Sequence, residues 1–175
     1  TLYGQEMPHK AGLTGTTTLA STMTDSATTF TVQSGQGANF VINEIIKDAY
    51  RLYITGTGDP FASPFFRNFL QTFDKSKYKN IGMIHLHTNG NLWTEQMWET
   101  MSNVHDLVKS VEISIDAGTK ETYEKVRRNG DWDMLMKNLE YINTIKTLEN
   151  VKLSFVIQDD NYKEMELFEN LKKER

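Results

Sequence analysis

The residues with the clearest chemical potential follow predicted strands of the chain. Gly56 and Gly58 come after an apolar stretch, and glycines let backbone N–H groups approach a ligand without interference from a Cβ atom. Asp59 follows them and can hold an ammonium or hydroxyl group. Asn89 and Asp116 end two later strand patterns, and amide and carboxylate oxygens accept hydrogen bonds from vicinal hydroxyls. This chemistry indicates a site for a nucleoside-bearing cofactor.

Each of these motifs is also an ordinary turn signal. Gly-Asp-Pro, Asn-Gly and Asp-Ala-Gly occur in many structural turns, and a single motif of this kind is more often structural than functional. Here the motifs recur at successive strand ends, in ITGTGDP, HLHTNGN, SIDAGT and VIQDDNY. Their repetition favours a binding site.

The elements that must position these motifs alternate between strand and helix. Strands are predicted at residues 50–55, 81–87, 110–115 and 151–157. Helices are predicted at residues 41–48, 64–73, 94–102, 120–127, 132–146 and 162–173. Connections of this length favour right-handed crossovers and a parallel sheet, whose ligands bind at the carboxyl ends of the strands. The predicted fold class is therefore α/β.

The first 39 residues differ in composition from the rest. They are rich in Thr, Ser and Gly, with a single predicted strand at residues 28–33, where Phe30 and Val32 alternate with polar residues. We expect an irregular or short β segment there. The predicted organisation is a segment at 1–39 and a β/α domain at 40–175.

Four stretches carry a specific resemblance: YITGTGDPFASPFFRNFL, IHLHTNGNLWTEQMWE, VEISIDAGTKETYEKVRRNGDWDMLMKNLEYI and LSFVIQDDNYKEMELF. In this order and spacing they resemble the central part of the radical S-adenosylmethionine (SAM) enzymes, particularly the peptide-modifying, SPASM-type branch. The resemblance covers residues 40–173. It implies a partial (β/α) barrel with parallel strands.

The resemblance also implies roles for individual residues. The turn at 56–59 would hold the methionyl amino group of SAM, Ser114 and Asp116 would lie by the ribose and methionyl moieties, and Arg127 would meet the carboxylate. Thr88 and Asn89 fit the rim of the family's third strand. The predicted cofactor-binding residues are Gly56, Thr57, Gly58, Asp59, Thr88, Asn89, Ser114, Asp116 and Arg127.

One departure from the family is plain. Radical SAM enzymes hold a [4Fe–4S] cluster with three cysteines in a CxxxCxxC loop after the first strand, and this chain has no cysteine. We therefore expect a truncated domain that keeps part of the SAM pocket with weak affinity, holds no cluster of its own, has no catalytic residue and is inactive alone. The alternative is a structural or interaction protein associated with a phage, because the first segment weakly resembles β modules of phage virions.

Other kinds of site have less support. His85 and His87 alternate on one predicted strand and so share a face, but no third ligand is evident and no metal site is expected. A dinucleotide site at GTGDPF lacks the third glycine and the later acidic residue. A hydrolase is not supported, since the chain has no nucleophile elbow.

The composition narrows the expected partners. The chain has 19 Lys and Arg against 23 Asp and Glu, a formal net charge of −4 in 175 residues, which favours neither nucleic acid nor an anionic membrane. No apolar run of about 18 residues or signal segment is present, so we expect a cytoplasmic protein, with virion association as the alternative. Exposed strand edges predict self-association or a partner chain.

Overall fold

A computed structural model describes residues 20–24, 27–32, 46, 49–55 and 59–173 of the chain. Its strands are β1 (Ala20–Thr24), β2 (Ala27–Val32), β3 (Arg51–Ile54), β4 (Met83–Thr88), β5 (Val108–Ser114) and β6 (Asn150–Ser154). Its α-helices are α1 (Pro64–Gln71), α2 (Glu95–Glu99), α3 (Lys120–Val126), α4 (Trp132–Ile142) and α5 (Met165–Lys173). Short 3-10 helices span Ser102–Val104 and Tyr162–Glu164.

The strands form one six-stranded sheet in sequence order, β1 to β6. Strand β1 pairs with β2 in antiparallel orientation, and every later pair is parallel. The carboxyl ends of β3 to β6 therefore lie at the same edge of the sheet, which we call the rim. This arrangement confirms the predicted α/β fold with parallel strands.

The two faces of the sheet differ in character. Leu52, Ile54, Ile84 and Leu86 are at most 1% exposed and belong to the hydrophobic core with helix residues such as Leu135. Burial of each such side chain stabilises the fold by about 1.5–3 kcal/mol. The alternate strand positions form a half-buried second face, which we call the polar face; it carries Tyr53, His85, His87, Glu112 and Ser114.

Side-chain caps define where four helices begin. The Ser63, Thr94, Thr119 and Asp131 side chains accept from the backbone N–H three residues later, at 3.4, 3.1, 3.3 and 2.9 Å. Such caps satisfy N–H groups that have no partner inside the helix. They place the start of each helix directly after a turn from the preceding segment, and Thr94 caps its helix as predicted.

The predicted strand at 151–157 is too long at its carboxyl end, since β6 stops at Ser154. The Val156 N–H donates to Asp116 Oδ1 at 2.7 Å, and the Val156 carbonyl accepts from Asn161 Nδ2 at 2.9 Å. These side chains take the backbone groups that a longer ladder would use. The strand ends because one long-range contact, with Asp116, and one local contact, with Asn161, replace sheet pairing.

Several predicted helices are also shorter in the structure, and those predicted at 64–73 and 120–127 end at Gln71 and Val126. The helix predicted at 94–102 is α2 followed by the 3-10 turn Ser102–Val104, and the helix predicted at 132–146 ends at Ile142. After that point the Thr144 hydroxyl donates to the Tyr141 carbonyl at 2.6 Å, and side-chain bonding of this kind competes with helical pairing. The helix predicted at 162–173 starts as a 3-10 turn before α5.

The strand predicted at 28–33 is confirmed as β2, and it lies parallel to β3. The helix predicted at 41–48 falls almost wholly outside the described residues. The boundary near residue 40 stays a prediction. In the part of the chain that the structure describes, no helix has the length and apolar character needed to cross a membrane.

Candidate functional site

Asp59 joins the turn after β3 to the end of β4. Its Oδ2 accepts from the Thr88 hydroxyl at 2.6 Å and from the Asn89 N–H at 2.7 Å, while Oδ1 accepts from the Phe61 N–H at 2.9 Å. The Thr88 hydroxyl in turn accepts from the Gly90 N–H at 3.0 Å. The carboxylate therefore holds together two neighbouring strand ends at the rim.

The glycine turn itself is only bracketed by the described residues. Gly56, Thr57 and Gly58 lie outside them, whereas Thr55 before the turn and Asp59 after it are both half-buried at the rim. The predicted contact of residues 56–58 with a methionyl amino group therefore stays a prediction.

The turn after β4 is shaped mainly by contacts within the protein. Asn89 Oδ1 accepts from the Asn91 N–H at 2.9 Å, which is the local bonding of an Asx turn. Gly90 has φ +79°, and a Cβ atom there would lie 2.7 Å from a Leu135 methyl group. Asn138 Nδ2 donates to the Gly90 carbonyl at 2.8 Å. A side chain at position 90 would need a left-handed backbone and a shift of Leu135, so glycine is the suitable residue there.

A hydrogen-bonded chain crosses the polar face just below the rim. His87 Nδ1 lies 3.0 Å from the Thr55 hydroxyl and Nε2 lies 2.8 Å from the Ser114 hydroxyl. The Ser114 hydroxyl lies 3.2 Å from that of Ser154. These contacts link the ends of β3, β4, β5 and β6. Ser114 therefore belongs to a polar network.

Asp116 and Arg127 bind one another. Arg127 Nη2 lies 2.5 Å from Asp116 Oδ2, and Asp116 Oδ1 accepts from the Val156 N–H. The Asp116 side chain is 5% exposed and that of Arg127 is 30% exposed. Asp116 has φ +60°, and Asn161 Nδ2 donates to its carbonyl at 2.8 Å. The predicted ribose ligand and the predicted carboxylate ligand thus neutralise each other in this structure.

The Arg127 side chain has a buried Nε that meets no hydrogen-bond acceptor among the described residues. A buried donor without an acceptor is uncommon and costs about 1–3 kcal/mol. The guanidinium is also partly exposed, so it is accessible to the carboxylate of a ligand.

Two titratable groups lower on the polar face have shifted pKa values. Burial lowers the pKa of His85, with the positive charge of Lys152 acting in the same direction and the negative charge of Glu112 opposing them. Burial raises the pKa of Glu112, but the Lys152 ammonium, 2.9 Å away, contributes to a net pKa below the usual value. His85 Nδ1 also bonds the Ser110 hydroxyl at 2.8 Å. The face below the rim therefore favours a neutral His85 beside an ion pair.

The predicted cofactor-binding residues that the structure describes fall into three bonded groups. Asp59, Thr88 and Asn89 form the first, and Asp116 and Arg127 form the second. Ser114 belongs to the third, with His87. His87 was not among the residues predicted for this site. Its position directly before Thr88, near the end of a predicted strand, is the feature from which it could have been predicted. The pair His85 and His87 instead bonds hydroxyl groups.

No group of three His, Cys, Asp or Glu residues in the described ranges is arranged to hold a metal ion. In addition, the whole sequence contains no cysteine. The site described above consists of hydroxyls, two carboxylates, an imidazole and a guanidinium.

A family model described as the Radical SAM superfamily matches residues 41–171, which is most of the chain. The chain belongs to the radical SAM superfamily. The match confirms the resemblance drawn from the four quoted stretches at the level of the superfamily, and it includes every residue of the candidate site. No curated protein matches the chain.

The two groups that the superfamily implies fit this radical SAM domain differently. A cluster held by three thiolates does not fit, because the chain supplies no thiolate. SAM carries an ammonium, a carboxylate and ribose hydroxyls, and the guanidinium of Arg127 and the hydroxyl of Ser114 are suitable partners for the latter two. The fit to SAM therefore rests on Arg127 and Ser114 more than on the internally bonded carboxylates.

Proposed function

We propose that this chain is a radical SAM domain that binds S-adenosylmethionine at the rim without a cysteine-ligated iron–sulfur cluster of its own. The observation that carries the proposal is the Arg127 side chain, which is partly exposed beside Asp116 and has a buried Nε without an acceptor among the described residues. In a second feature, the Asp59 clamp, one carboxylate oxygen accepts from both Thr88 and Asn89 and holds Asp59 beside the end of β4. Ser114 is the last residue of β5, and Asp116, two residues later, holds Arg127. The hydroxyl and the guanidinium are therefore associated with the end of one strand.

In this proposal each residue has a distinct task. The family resemblance assigns the methionyl amino group to residues 56–58, which lie outside the described residues; Ser114 accepts from a ribose hydroxyl and Arg127 pairs with the carboxylate. Asp59 shapes the turn, since its oxygens already accept three hydrogen bonds. Asp116 holds Arg127 in place until the cofactor carboxylate competes for it.

The absence of thiolates sets the expected strength of binding. In the family that the chain resembles, the cluster supplies electrons and an iron that ligates the cofactor directly, and SAM bound there supplies the radical chemistry. Without that iron we expect a dissociation constant of about 0.1–1 mM, or about 4–5.5 kcal/mol. We propose that the domain binds the cofactor and is not a catalyst by itself.

Titration calorimetry with SAM tests this proposal. Arg127→Gln and Ser114→Ala are expected to weaken binding, whereas Arg128→Gln and Ser102→Ala, at exposed neighbouring or distant positions, are expected to leave it unchanged. A dissociation constant in the low micromolar range would contradict the expected weakness. No binding at millimolar SAM, by calorimetry and by ligand-observed NMR, would refute the proposal.

A second candidate function is a structural or interaction role, and one observation favours it. In the described part of the chain, β6 is the last strand in the sheet order. Val151 within it is 44% exposed, and Val156 and Ile157 after it are 62% and 61% exposed. An open strand edge with exposed apolar side chains favours pairing with another chain. We propose a second copy of the chain as the partner. Light scattering at about 0.1 mM measures the oligomeric state. Only monomer in the wild type, with the same mass for Val156→Asp, would refute this.

We also propose a place for the chain within the superfamily and within the cell. The four quoted stretches favour the peptide-modifying, SPASM-type branch of the superfamily. The likeness of residues 1–39 to phage modules supports the interaction role, with a virion rather than the cytoplasm as its place. Mass spectrometry of purified virions and of host cytosol would separate these two locations.

A further inference from the structure

We propose that His87 is a positioning residue that orients the Ser114 hydroxyl toward the cofactor ribose. This inference rests on the proposed function, because it assigns how one of the proposed cofactor contacts is held. His87 lies one residue before Thr88 and therefore on the opposite face of β4 from the Asp59 clamp. It is the side chain that connects the ends of β3 and β5.

The geometry gives His87 a bond on each ring nitrogen. Nδ1 lies 3.0 Å from Thr55 Oγ1 and Nε2 lies 2.8 Å from Ser114 Oγ. Rotation of the ring would break at least one of these two contacts, so the two hydroxyls fix its orientation. The Ser114 hydroxyl then lies 3.2 Å from Ser154 Oγ, which continues the network to β6.

The chemistry of a neutral imidazole makes this arrangement directional. One ring nitrogen donates and the other accepts, so the ring cannot accept from both hydroxyls. A serine hydroxyl has one donor and two acceptor positions, and His87 and Ser154 together use two of the three at Ser114. The contacts with His87 and Ser154 therefore determine the direction of the third position on the Ser114 hydroxyl. When Nε2 accepts from Ser114, what remains is a lone pair, which suits a ribose hydroxyl donor.

The groups that face His87 from its neighbouring elements are few. Thr55 contacts it from the end of β3, Ser114 from β5, and Glu112 on β5 is its partner in the strand register. Glu112 is paired with Lys152 of β6 at 2.9 Å, so its charge is largely compensated. His87 therefore acts mainly through its two hydroxyl contacts.

A matched control lies on the same strand. His85 also lies on the polar face and also bonds a serine hydroxyl, that of Ser110, at 2.8 Å. It has no contact with Ser114 among the described residues. His85→Phe therefore makes the same chemical change two residues away, without touching the proposed contact.

A double-mutant cycle on SAM binding tests the proposal. His87→Phe keeps a ring but removes both nitrogens, and we expect it to weaken SAM binding about 2- to 10-fold, the loss of one hydrogen bond. Ser114→Ala should weaken binding by a similar factor, and the double variant by no more than either single change. His87→Gln, which keeps a donor and an acceptor, should recover part of the affinity. His85→Phe should bind like the wild type.

A second readout does not depend on the cofactor. At a pH where the His87 ring is neutral, its ¹⁵N shifts should show one dominant tautomer, and Ser114→Ala should change the Nε2 shift more than the Nδ1 shift. Additive losses in the cycle, or a ring unaffected by Ser114→Ala, would overturn this inference while leaving SAM binding intact. Absence of SAM binding to the wild type would refute the proposed function, and the role of His87 toward the ribose with it.

Discussion

The Thr88 hydroxyl donates to Asp59 Oδ2 at 2.6 Å, so the residue that closes the turn after β3 is bonded to the last residue of β4. The same carboxylate accepts from the N–H groups of Asn89 and Phe61. A carboxylate with three internal donors acts first as a support for the rim. Its contribution should therefore appear in the stability of the fold as well as in binding.

We predict that Asp59→Asn destabilises the protein by about 1–3 kcal/mol. The amide places an NH₂ group against a set of donors, so at least one hydrogen bond is lost. Urea unfolding at pH 7 measures the change. Asp106→Asn is the control: Asp106 is 63% exposed and pairs with Lys75, and exposed pairs contribute about 0–1 kcal/mol. Equal losses in the two variants would contradict this prediction.

Arg127→Ala should destabilise the protein by about 2–3 kcal/mol, because it leaves the buried Asp116 carboxylate without its cation. The partial exposure of Arg127 keeps the loss below that of a fully buried pair. Arg128→Ala, at an exposed position, should have little effect. Adding Asp116→Asn to Arg127→Ala should recover part of the stability, since the unpaired charge is removed. If the double variant is less stable than Arg127→Ala, the charge is not the cause.

Glu164 is expected to contribute stability that depends on pH. Burial raises the pKa of Glu164, but hydrogen bonds from Thr122, Thr119 and the Gly118 N–H together lower it by more. The net pKa therefore lies below the ordinary value of 4.5. The ionised group therefore stabilises the fold above pH 4.5, and this contribution is lost as the pH falls through the folded-state pKa. Glu164→Gln should cost most at pH 7 and least in acid.

Unfolding measured between pH 3 and 7 checks the behaviour of Glu164. Glu166→Gln, at an exposed position two residues later, serves as the control and should give a small difference at every pH. A cost of Glu164→Gln that does not change with pH would show that the charge of Glu164 is unimportant.

His85 should have a pKa below its ordinary value of 6.5, chiefly because it is buried. The unfolded chain then binds the proton more readily, so the stabilising effect is complete above pH 6.5 and declines as the pH falls below it. An NMR titration of the ring measures the pKa. Lys152→Ala should raise it, because a nearby positive charge is removed. A measured pKa at or above 6.5 would refute the prediction.

We predict that anaerobic reconstitution with iron and sulfide leaves the purified chain colourless. Iron–sulfur clusters are held by cysteine thiolates, and the sequence has no cysteine. Iron and sulfide analysis after desalting, with absorption spectra, measures the outcome. Stoichiometric retained iron together with the charge-transfer absorption of a cluster would show that other ligands replace the thiolates.

Much of the fold could be predicted from local patterns. In β3 to β5 buried and partly exposed residues alternate largely as the sequence predicts, because side chains of a strand point to opposite faces. Thr94 and the turn at Asn89 and Gly90 likewise follow rules that involve only a few neighbouring residues. Such features depend on interactions near in sequence, and the sequence displays them directly.

The partners of the polar groups could not be predicted in the same way. Asp59 and Asp116 were expected to face a ligand, yet Asp59 bonds Thr88, and Asp116 bonds Arg127 and Val156. Asp59 and Thr88 are 29 positions apart, and Asp116 and Val156 are 40 apart. No local pattern reports such distances.

The sequence by itself therefore determined the alternating elements, the superfamily and the absence of thiolates. Only the tertiary structure decided which carboxylates are already neutralised and that His87 joins Thr55 to Ser114. The physical reason is that burial requires each polar group to find a partner. Which partner it finds depends on how the parallel strands bring distant residues to one rim.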